Sequence, residues 1–247
     1  MNRERRQYVR FAFYRVGPEW RRLSPSERED ARAEFADVIE GWEQRMLLRT
    51  YSMIGTRADC DFLVWQVTEN LDNFSELAAD INSSELGAYL ETPYSYLSMT
   101  KHSMYVDEHV HEGQEGSRLT IAPGGSKYLF VYPFLKTRAW YLLPQAERQR
   151  IMSAHIAMGH KYPTVKINTT YSFGLDDQEF VLGFETDYPA DFLDLVQDLR
   201  ETESSSFTLR DTPIFTCVSM PIREILDALK RDQRVGVPLA AQGQMRV

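Results

Sequence analysis

His155, Tyr132 and Lys136 are the side chains of this 247-residue chain whose types and surroundings are best suited to chemistry. His155 lies in a stretch with helical periodicity, where apolar residues such as Ile151 and Ile156 surround it. An imidazole on or beside the core face of a helix is either a core histidine satisfied by one neighbour or the single axial ligand of a large apolar cofactor such as haem. The residues alone leave both interpretations open.

Tyr132 and Lys136 lie four residues apart in an aromatic segment that begins at the end of a predicted strand and also contains Trp140. A phenol can be oxidised, and a nearby ammonium can bind or neutralise a carboxylate. The same side chains are equally compatible with rim aromatics and ordinary surface charge. The segment therefore predicts a redox and anion-binding site only in combination with other evidence.

His109 and His111 lie in a glycine-containing acidic segment, and alternation along an extended chain would put both imidazoles on one side. A divalent metal is one interpretation, but no third ligand is set by spacing, and we favour an exposed acidic loop. The chain contains no P-loop, no G-x-G-x-x-G, no G-x-S-x-G and no H-E-x-x-H. Common nucleotide-binding, hydrolase and zinc-protease functions therefore lack their diagnostic residues.

The composition is that of an ordinary globular protein, with 43% apolar and 26% charged residues and a net charge of −8. This acidic balance argues against a nucleic-acid partner. Cys60 and Cys217 are far apart in sequence, which favours a reducing, cytoplasmic setting over a disulfide or zinc framework. No segment approaches the ~20 apolar residues that span a bilayer, so we expect no membrane partner.

The elements that must position these residues occur twice. A constant offset of 120 residues relates an ordered series of unlike residues in the two halves, which indicates a tandem duplication of a unit of roughly 100 residues. The matched residues are Trp20, Leu23, Glu27 and Arg28 with Trp140, Leu143, Glu147 and Arg148, and Thr50, Tyr51 and Ser52 with Thr170, Tyr171 and Ser172. In this alignment, His155 takes the place of Phe35.

Both units have the pattern β-α-β-β-α-β of the ferredoxin-like motif. The predicted elements of the first unit are strands 8–16, 49–54, 61–67 and 94–100 and helices 26–46 and 70–89. Those of the second are strands 127–133, 164–173, 179–185 and 214–220 and helices 144–160, 190–203 and 221–231. We predict an α+β fold of tandem ferredoxin-like repeats at 1–105 and 126–232, joined by a linker at 106–125 and followed by a flexible tail at 233–247.

The segment from Lys127 to Thr216 resembles the chlorite dismutase superfamily, which includes the coproheme decarboxylases. The motifs that carry the resemblance are Tyr-Pro-x-x-Lys from Tyr132, Trp-Tyr-x-Leu-Pro-x-x-Glu-Arg from Trp140, Met-x-x-His at 152–155 and Gly-Leu-Asp-Asp at 174–177. A weaker likeness continues through the N-terminal half. The resemblance implies a dimeric α+β barrel within one chain, a homo-oligomer such as a pentamer, and haem in the second repeat.

The resemblance also implies roles for single residues. His155 corresponds to the proximal ligand of the haem iron, and Glu203 to the carboxylate that hydrogen-bonds this histidine. Tyr132 corresponds to the radical-forming tyrosine of coproheme decarboxylation, and Lys136 to a lysine near the reacting propionate. Two further residues are implied to contact the cofactor: Arg118 at a propionate and Trp140 near the haem edge.

Three positions depart from the family pattern. The distal position, arginine in chlorite dismutases and glutamine in many decarboxylases, aligns with Ile167, with Asn168 as the neighbouring candidate. Isoleucine can neither pair with a charge nor form a hydrogen bond, which disfavours chlorite dismutation. Phe207 and Pro213 stand where the family has propionate-contacting residues, and they count against tight binding of the four propionates of coproheme.

These observations predict a haem-dependent oxidoreductase resembling a coproheme decarboxylase, which would use hydrogen peroxide to convert coproheme into haem b. One alternative is a haem b protein with a peroxidase-like or haem-sensing role. Another is a barrel that has no cofactor or binds a non-haem metal through the linker histidines.

Overall fold

Runs of β-branched and aromatic residues form nine strands in a computed structural model, which describes residues 5–103, 105 and 119–229. The strands are β1 (Tyr8–Val16), β2 (Leu47–Ser52), β3 (Phe62–Thr68), β4 (Leu90–Met99), β5 (Tyr128–Lys136), β6 (Lys166–Tyr171), β7 (Phe180–Thr186), β8 (Thr208–Arg210) and β9 (Phe215–Ser219). The helices are α1 (Pro25–Glu43), α2 (Asp72–Ser83), α3 (Arg138–Leu142), α4 (Gln145–Gly159), α5 (Pro189–Arg200) and α6 (Ile222–Ala228). Short 3-10 helices lie at Pro18–Arg22, Leu86–Tyr89 and Glu203–Phe207.

The strands join in one antiparallel sheet that closes on itself. Its order is β7-β6-β4-β1-β3-β2-β9-β5-β8, and β5 also pairs with β7. Eight strands therefore form a barrel, and the short strand β8 pairs with the end of β5. The two repeats meet edge to edge through the β4–β6 and β2–β9 pairs. The predicted α+β fold, two ferredoxin-like repeats that form one barrel within a single chain, is confirmed.

Side chains alternate between the inside of the barrel and the faces covered by helices, as the pleat of each strand requires. In β5, Leu129 and Val131 belong to the barrel interior, whereas Phe130 and Tyr132 pack with residues of α5 on the outer face. A third apolar cluster lies between the first repeat's strands and α1, α2 and α6. The last helix therefore packs on the first repeat, although it follows the second in sequence.

The hairpin turns hold the two repeats together reciprocally. The turn after β2 carries Arg57, whose guanidinium donates to the Ile214 carbonyl at 3.1 Å. The turn after β6 carries Asp176, whose carboxylate accepts from the Leu97 amide at 2.7 Å. Each turn thus contacts backbone in or beside the closing strand of the other repeat, which satisfies polar backbone groups at both junctions.

The helices begin and end where local hydrogen bonds dictate, and not where the apolar pattern of the sequence begins and ends. The helix predicted at 70–89 ends at Ser83, because the Ser84 hydroxyl donates to the Ile81 carbonyl at 2.7 Å and Ser84 itself is extended. Helix α1, predicted at 26–46, runs from Pro25 to Glu43 and begins with a capping box between Ser24 and Glu27. Strand β5 runs to Lys136, three residues beyond its predicted end.

Within the described residues, no helix combines the length and the apolar character needed to cross a membrane. The two cysteines are free and buried. The domain boundaries stay predictions, and both residues 106–118 of the predicted linker and the predicted tail at 233–247 lie outside the described residues.

Candidate functional site

The candidate site is built around the end of strand β5. Tyr132 and Lys136 point to the same face of β5, since side chains alternate with a period of two. Helix α3 follows the strand at once and carries Trp140, and helix α4 carries His155. The turn at 202–207 closes the site from the side of α5.

The His155 imidazole is half-buried, and its Nδ1 atom lies 3.4 Å from the Thr202 hydroxyl oxygen. That hydroxyl donates its own hydrogen to the Leu199 carbonyl at 2.7 Å, so its oxygen is an acceptor toward the ring. Burial, with a smaller contribution from the Lys136 charge, lowers the pKa of His155 to about 4. At neutral pH the ring is therefore uncharged, and Nδ1–H···Oγ1 pairing leaves the Nε2 lone pair for a metal ion.

Helix α4 is poorly buried for a helix that flanks a sheet. Ile151 is its one buried residue, while Met152, Ile156 and Met158 are half-buried. Burial of an apolar helix face is what usually stabilises such a helix. The exposed apolar area around His155 is therefore suited to covering a flat apolar molecule.

Lys136 is buried, with 8% of its surface exposed. Its ammonium donates to the Ser204 hydroxyl at 3.0 Å and the Ser204 carbonyl at 3.3 Å, and lies 4.3 Å from the Trp140 ring centroid. Burial lowers its pKa to about 8, although the nearby Glu179 carboxylate opposes this shift. Lys136 is therefore a cation in a poorly hydrated place, where an anionic ligand would be attracted strongly.

Trp140 is buried beneath this lysine and packs against Phe207, with the ring centroids 5.4 Å apart. Phe207 thus fills the space next to the tryptophan with an apolar ring, where the family pattern predicts a propionate-binding side chain. The structure places both Trp140 and His155 near Lys136.

Tyr132 is buried four residues before Lys136 on β5, and its ring stacks on Phe184 with the ring centroids 5.7 Å apart. Burial raises its pKa, with a further contribution from the Asp211 charge, so the phenol keeps its proton at any ordinary pH. A role for Tyr132 as an oxidisable group would therefore require loss of the electron together with that proton.

Ile167 and Asn168 lie on opposite faces of β6. Ile167 pairs with Phe184, which shares its sheet face with Tyr132, and the Ile167 side chain is 50% exposed. Asn168 is buried on the other face and donates to the Glu185 carboxylate at 2.8 Å. This alternation corrects the expectation for Asn168, which is turned away from the site, and leaves Ile167 as the distal candidate.

The structure also corrects the expected partner of His155. Glu203 is exposed, and both of its oxygens accept from the Arg150 guanidinium, at 2.8 and 3.0 Å. Thr202 contacts the imidazole instead. Consecutive residues cannot all face the same way, so Thr202 turns inward and Glu203 turns toward solvent.

The remaining predicted residues, Arg118, His109 and His111, lie outside the described residues. Among the residues that the structure does describe, no group of three or more histidine, cysteine or acidic side chains could hold a metal ion. Iron at this site would therefore need ligands in addition to the single histidine, and the nitrogen atoms of a porphyrin provide them.

Sequence reasoning missed Thr202 and Ser204, which hold His155 and Lys136. Short hydroxyl residues are common in turns and carry no signal of their own. The burial of Lys136 did have a signal, because the 120-residue offset aligns it with Val16, a core residue of the first repeat.

Comparison with known proteins agrees with this fold. The chain is 29% identical over 226 residues to a coproheme decarboxylase of Mycolicibacterium smegmatis, which covers 90% of this chain and 94% of that protein. A mutant of chlorite dismutase from Candidatus Nitrospira defluvii superposes with a TM-score of 0.82 at 25% identity, covering 92% and 96% of the two chains. A heme-binding protein from Thermus thermophilus gives a TM-score of 0.78 at 26% identity, covering 90% and 94%.

The model of the family described as chlorite dismutase matches residues 28–220, which include most of both repeats and every described residue of the candidate site. The chain belongs to the chlorite dismutase family.

Proposed function

We propose that this protein binds an iron porphyrin through His155 and catalyses peroxide-dependent decarboxylation of coproheme. The observation that carries the proposal is the His155 imidazole itself: it is held neutral, with Nδ1 occupied by Thr202, on a helix whose apolar face is left open. The relationship to a coproheme decarboxylase over 90% of the chain supports the same conclusion.

The residues present fit such a group. A porphyrin needs a flat apolar surface, one axial donor and cations for its carboxylates. The flat apolar surface would be supplied by the sheet face that carries Tyr132 and Ile167 and by the apolar residues of α4. The Nε2 atom of His155 would be the axial donor, and Lys136 would be a cation for a carboxylate.

When bound, the porphyrin iron would supply the redox chemistry with hydrogen peroxide. Each reacting propionate would lose carbon dioxide, one proton and two electrons to become a vinyl group. Hydrogen peroxide would accept the two electrons, that proton and one further proton from solvent to give two waters. Lys136 would hold the propionate carboxylate, and Trp140 would keep this end of the site dry. Tyr132 would give an electron and its phenolic proton to the oxidant. It would then recover an electron and a proton from the propionate.

The test is to add ferric coproheme and then hydrogen peroxide to the purified protein and to follow the porphyrin by mass spectrometry. We expect loss of carbon dioxide and two hydrogens from each of two propionates. Tyr132→Phe should abolish this mass change and leave binding intact. His155→Ala should abolish the spectrum of the bound porphyrin, whereas His160→Ala, at an exposed histidine that ends the same helix, should not. Bound coproheme that never loses mass would refute the activity.

A second function is favoured by Ile167 and Phe207. Neither side chain can bind a carboxylate or hydrogen-bond a distal ligand, so these two positions offer no polar contact to a propionate. A haem b protein with a peroxidase-like or haem-sensing role would fit these residues. Binding titrations distinguish the two, because a haem b protein binds haem b more tightly than coproheme. We expect no chlorite dismutation, since Ile167 cannot stabilise an anionic intermediate.

We further propose a cytoplasmic homo-oligomer, with a pentamer as the expected form. Large apolar side chains exposed on the second repeat support self-association: Leu142, Leu193 and Leu209. Light scattering after size-exclusion chromatography measures the subunit number, and a monomer at micromolar concentration would contradict this proposal.

A further inference from the structure

Three consecutive residues just after α5 differ in what they face. Thr202 turns inward to the Nδ1 atom of His155, and Ser204 turns inward to the Lys136 ammonium. Glu203, between them, is exposed. One short turn therefore contacts both the axial histidine and the buried lysine while its carboxylate points outward.

Arg150 fixes this arrangement. Its guanidinium binds both oxygens of Glu203, at 2.8 and 3.0 Å, and also binds Glu147 at 2.6 Å. Arg150 precedes His155 by five residues on α4, a separation of about 7.5 Å along the helix axis. The Glu203 carboxylate is thus held at a different level of the helix from the imidazole.

Thr202 has the geometry that a histidine partner needs. Its hydroxyl hydrogen is committed to the Leu199 carbonyl at 2.7 Å, so its oxygen can only accept from the ring. The contact to Nδ1 at 3.4 Å then requires the tautomer with hydrogen on Nδ1. A neutral hydroxyl accepts more weakly than a carboxylate and makes the imidazole a weaker electron donor.

We propose that Thr202, and not Glu203, is the hydrogen-bond partner that orients His155, and that Arg150 is a positioning residue that keeps Glu203 out of the site. The hydrogen-bond assignment concerns the chain itself, and its effect on bound iron rests on the proposed function. A haem held in this way has a higher reduction potential than one whose histidine is paired with a carboxylate.

The first experiment uses the protein without porphyrin. Nitrogen-15 NMR of the histidine rings at pH 7.5 reports the tautomer of His155, identified by the signal lost in His155→Gln. We expect a single Nδ1–H form in the wild-type protein and in Thr202→Ser. Thr202→Val should lose that form in favour of a mixture, and Glu203→Gln should leave the signal unchanged. A change in Glu203→Gln without one in Thr202→Val would overturn the assignment.

The second experiment measures the reduction potential of the haem-loaded variants, with urea unfolding as the check that each is folded. Thr202→Val should shift the reduction potential away from the wild-type value, and Thr202→Ser, which keeps the hydroxyl, should not shift it. Arg150→Gln should lower the potential, because Glu203 is released, and the double variant with Glu203→Gln should return it to the wild-type value. An unchanged potential in Arg150→Gln refutes its positioning role. If haem binds to none of the proteins, the proposed function fails while the NMR result still decides the role of Thr202.

Discussion

The two repeats differ in how tightly their corresponding helices, α1 and α4, are packed. In the first repeat Phe35 is fully buried, its ring edge-on to Phe62 at 6.0 Å, and α1 has seven buried residues. In the second, α4 has one buried residue, and the equivalent position is the half-buried His155. The difference teaches that two repeats of the same fold need not be packed equally tightly, and the proposed ligand site lies in the less tightly packed one.

The ends of β1 and β5 sharpen this comparison. Val16 and Lys136 are both 8% exposed, and the 120-residue offset aligns them. The Val16 amide donates to Asp61 at 2.7 Å, and the Lys136 amide donates to Glu179 at 2.9 Å. The backbone anchor is therefore common to both repeats, and only the side chain has changed from apolar to charged.

Exchange of the two aromatic positions should give the largest effect. Phe35→His removes a buried ring and introduces a polar one, and we expect a loss of about 3–5 kcal/mol in the free energy of unfolding. His155→Phe in the protein without porphyrin should be close to neutral, because that side chain enters an open face. Urea unfolding measures both changes, and equal losses would show that the second repeat is as tightly packed as the first.

Lys136→Met should stabilise the protein without porphyrin. The lowering of the Lys136 pKa from 10.5 to about 8 corresponds to as much as about 3 kcal/mol at pH 7, which the uncharged side chain does not carry. Val16→Lys should destabilise the first repeat for the converse reason. The same urea series at pH 7 tests this pair, and destabilisation by Lys136→Met would mean that the Ser204 hydrogen bonds outweigh the buried charge.

The stability of the second repeat should depend on pH through His155. Its pKa falls from 6.5 to about 4 on folding, so the unfolded chain binds more protons between these values. The contribution is present above pH 6.5 and is lost as the pH falls to 4, with a magnitude of about 2 kcal/mol after solvent screening. The difference between the wild-type protein and His155→Phe across this range isolates the effect, and parallel pH curves would contradict it.

The smallest effect is expected at the exposed pair of Arg150 and Glu203. The aligned residue in the first repeat is Asp30, so this pair belongs to the second repeat alone. Arg150→Gln should lower the free energy of unfolding only slightly, because the pair is solvent-exposed, and the loss should shrink at high salt. A larger, salt-independent loss would contradict the solvent-exposed character of the pair.

The fold could be predicted from the sequence because its signals are repeated. Alternating apolar residues defined most strands, and the 120-residue offset let each repeat support the interpretation of the other. The edge-to-edge closure through β4–β6 and β2–β9 could not be derived from residues, since it depends on long-range pairing. The resemblance to a family supplied that part.

The candidate site was predictable where one side chain carried the signal, as with His155 and Tyr132. It was not predictable where orientation depended on a distant partner. Glu203 turns outward and pairs with Arg150, 53 residues earlier in the chain. Ile167 and Asn168 could be separated only once the register with β7 was known, because adjacent strand residues face opposite ways.

The last helix has a consequence for how the chain folds as it is made. Ile222, Ile225 and Leu226 complete the apolar cluster of the first repeat, more than 120 residues after that repeat's own last strand. During synthesis from the N-terminus, the apolar cluster of the first repeat therefore stays partly exposed until the second repeat has been made. The repeat with the fuller core is thus the later of the two to be finished, and contacts of such long sequence separation slow its closure.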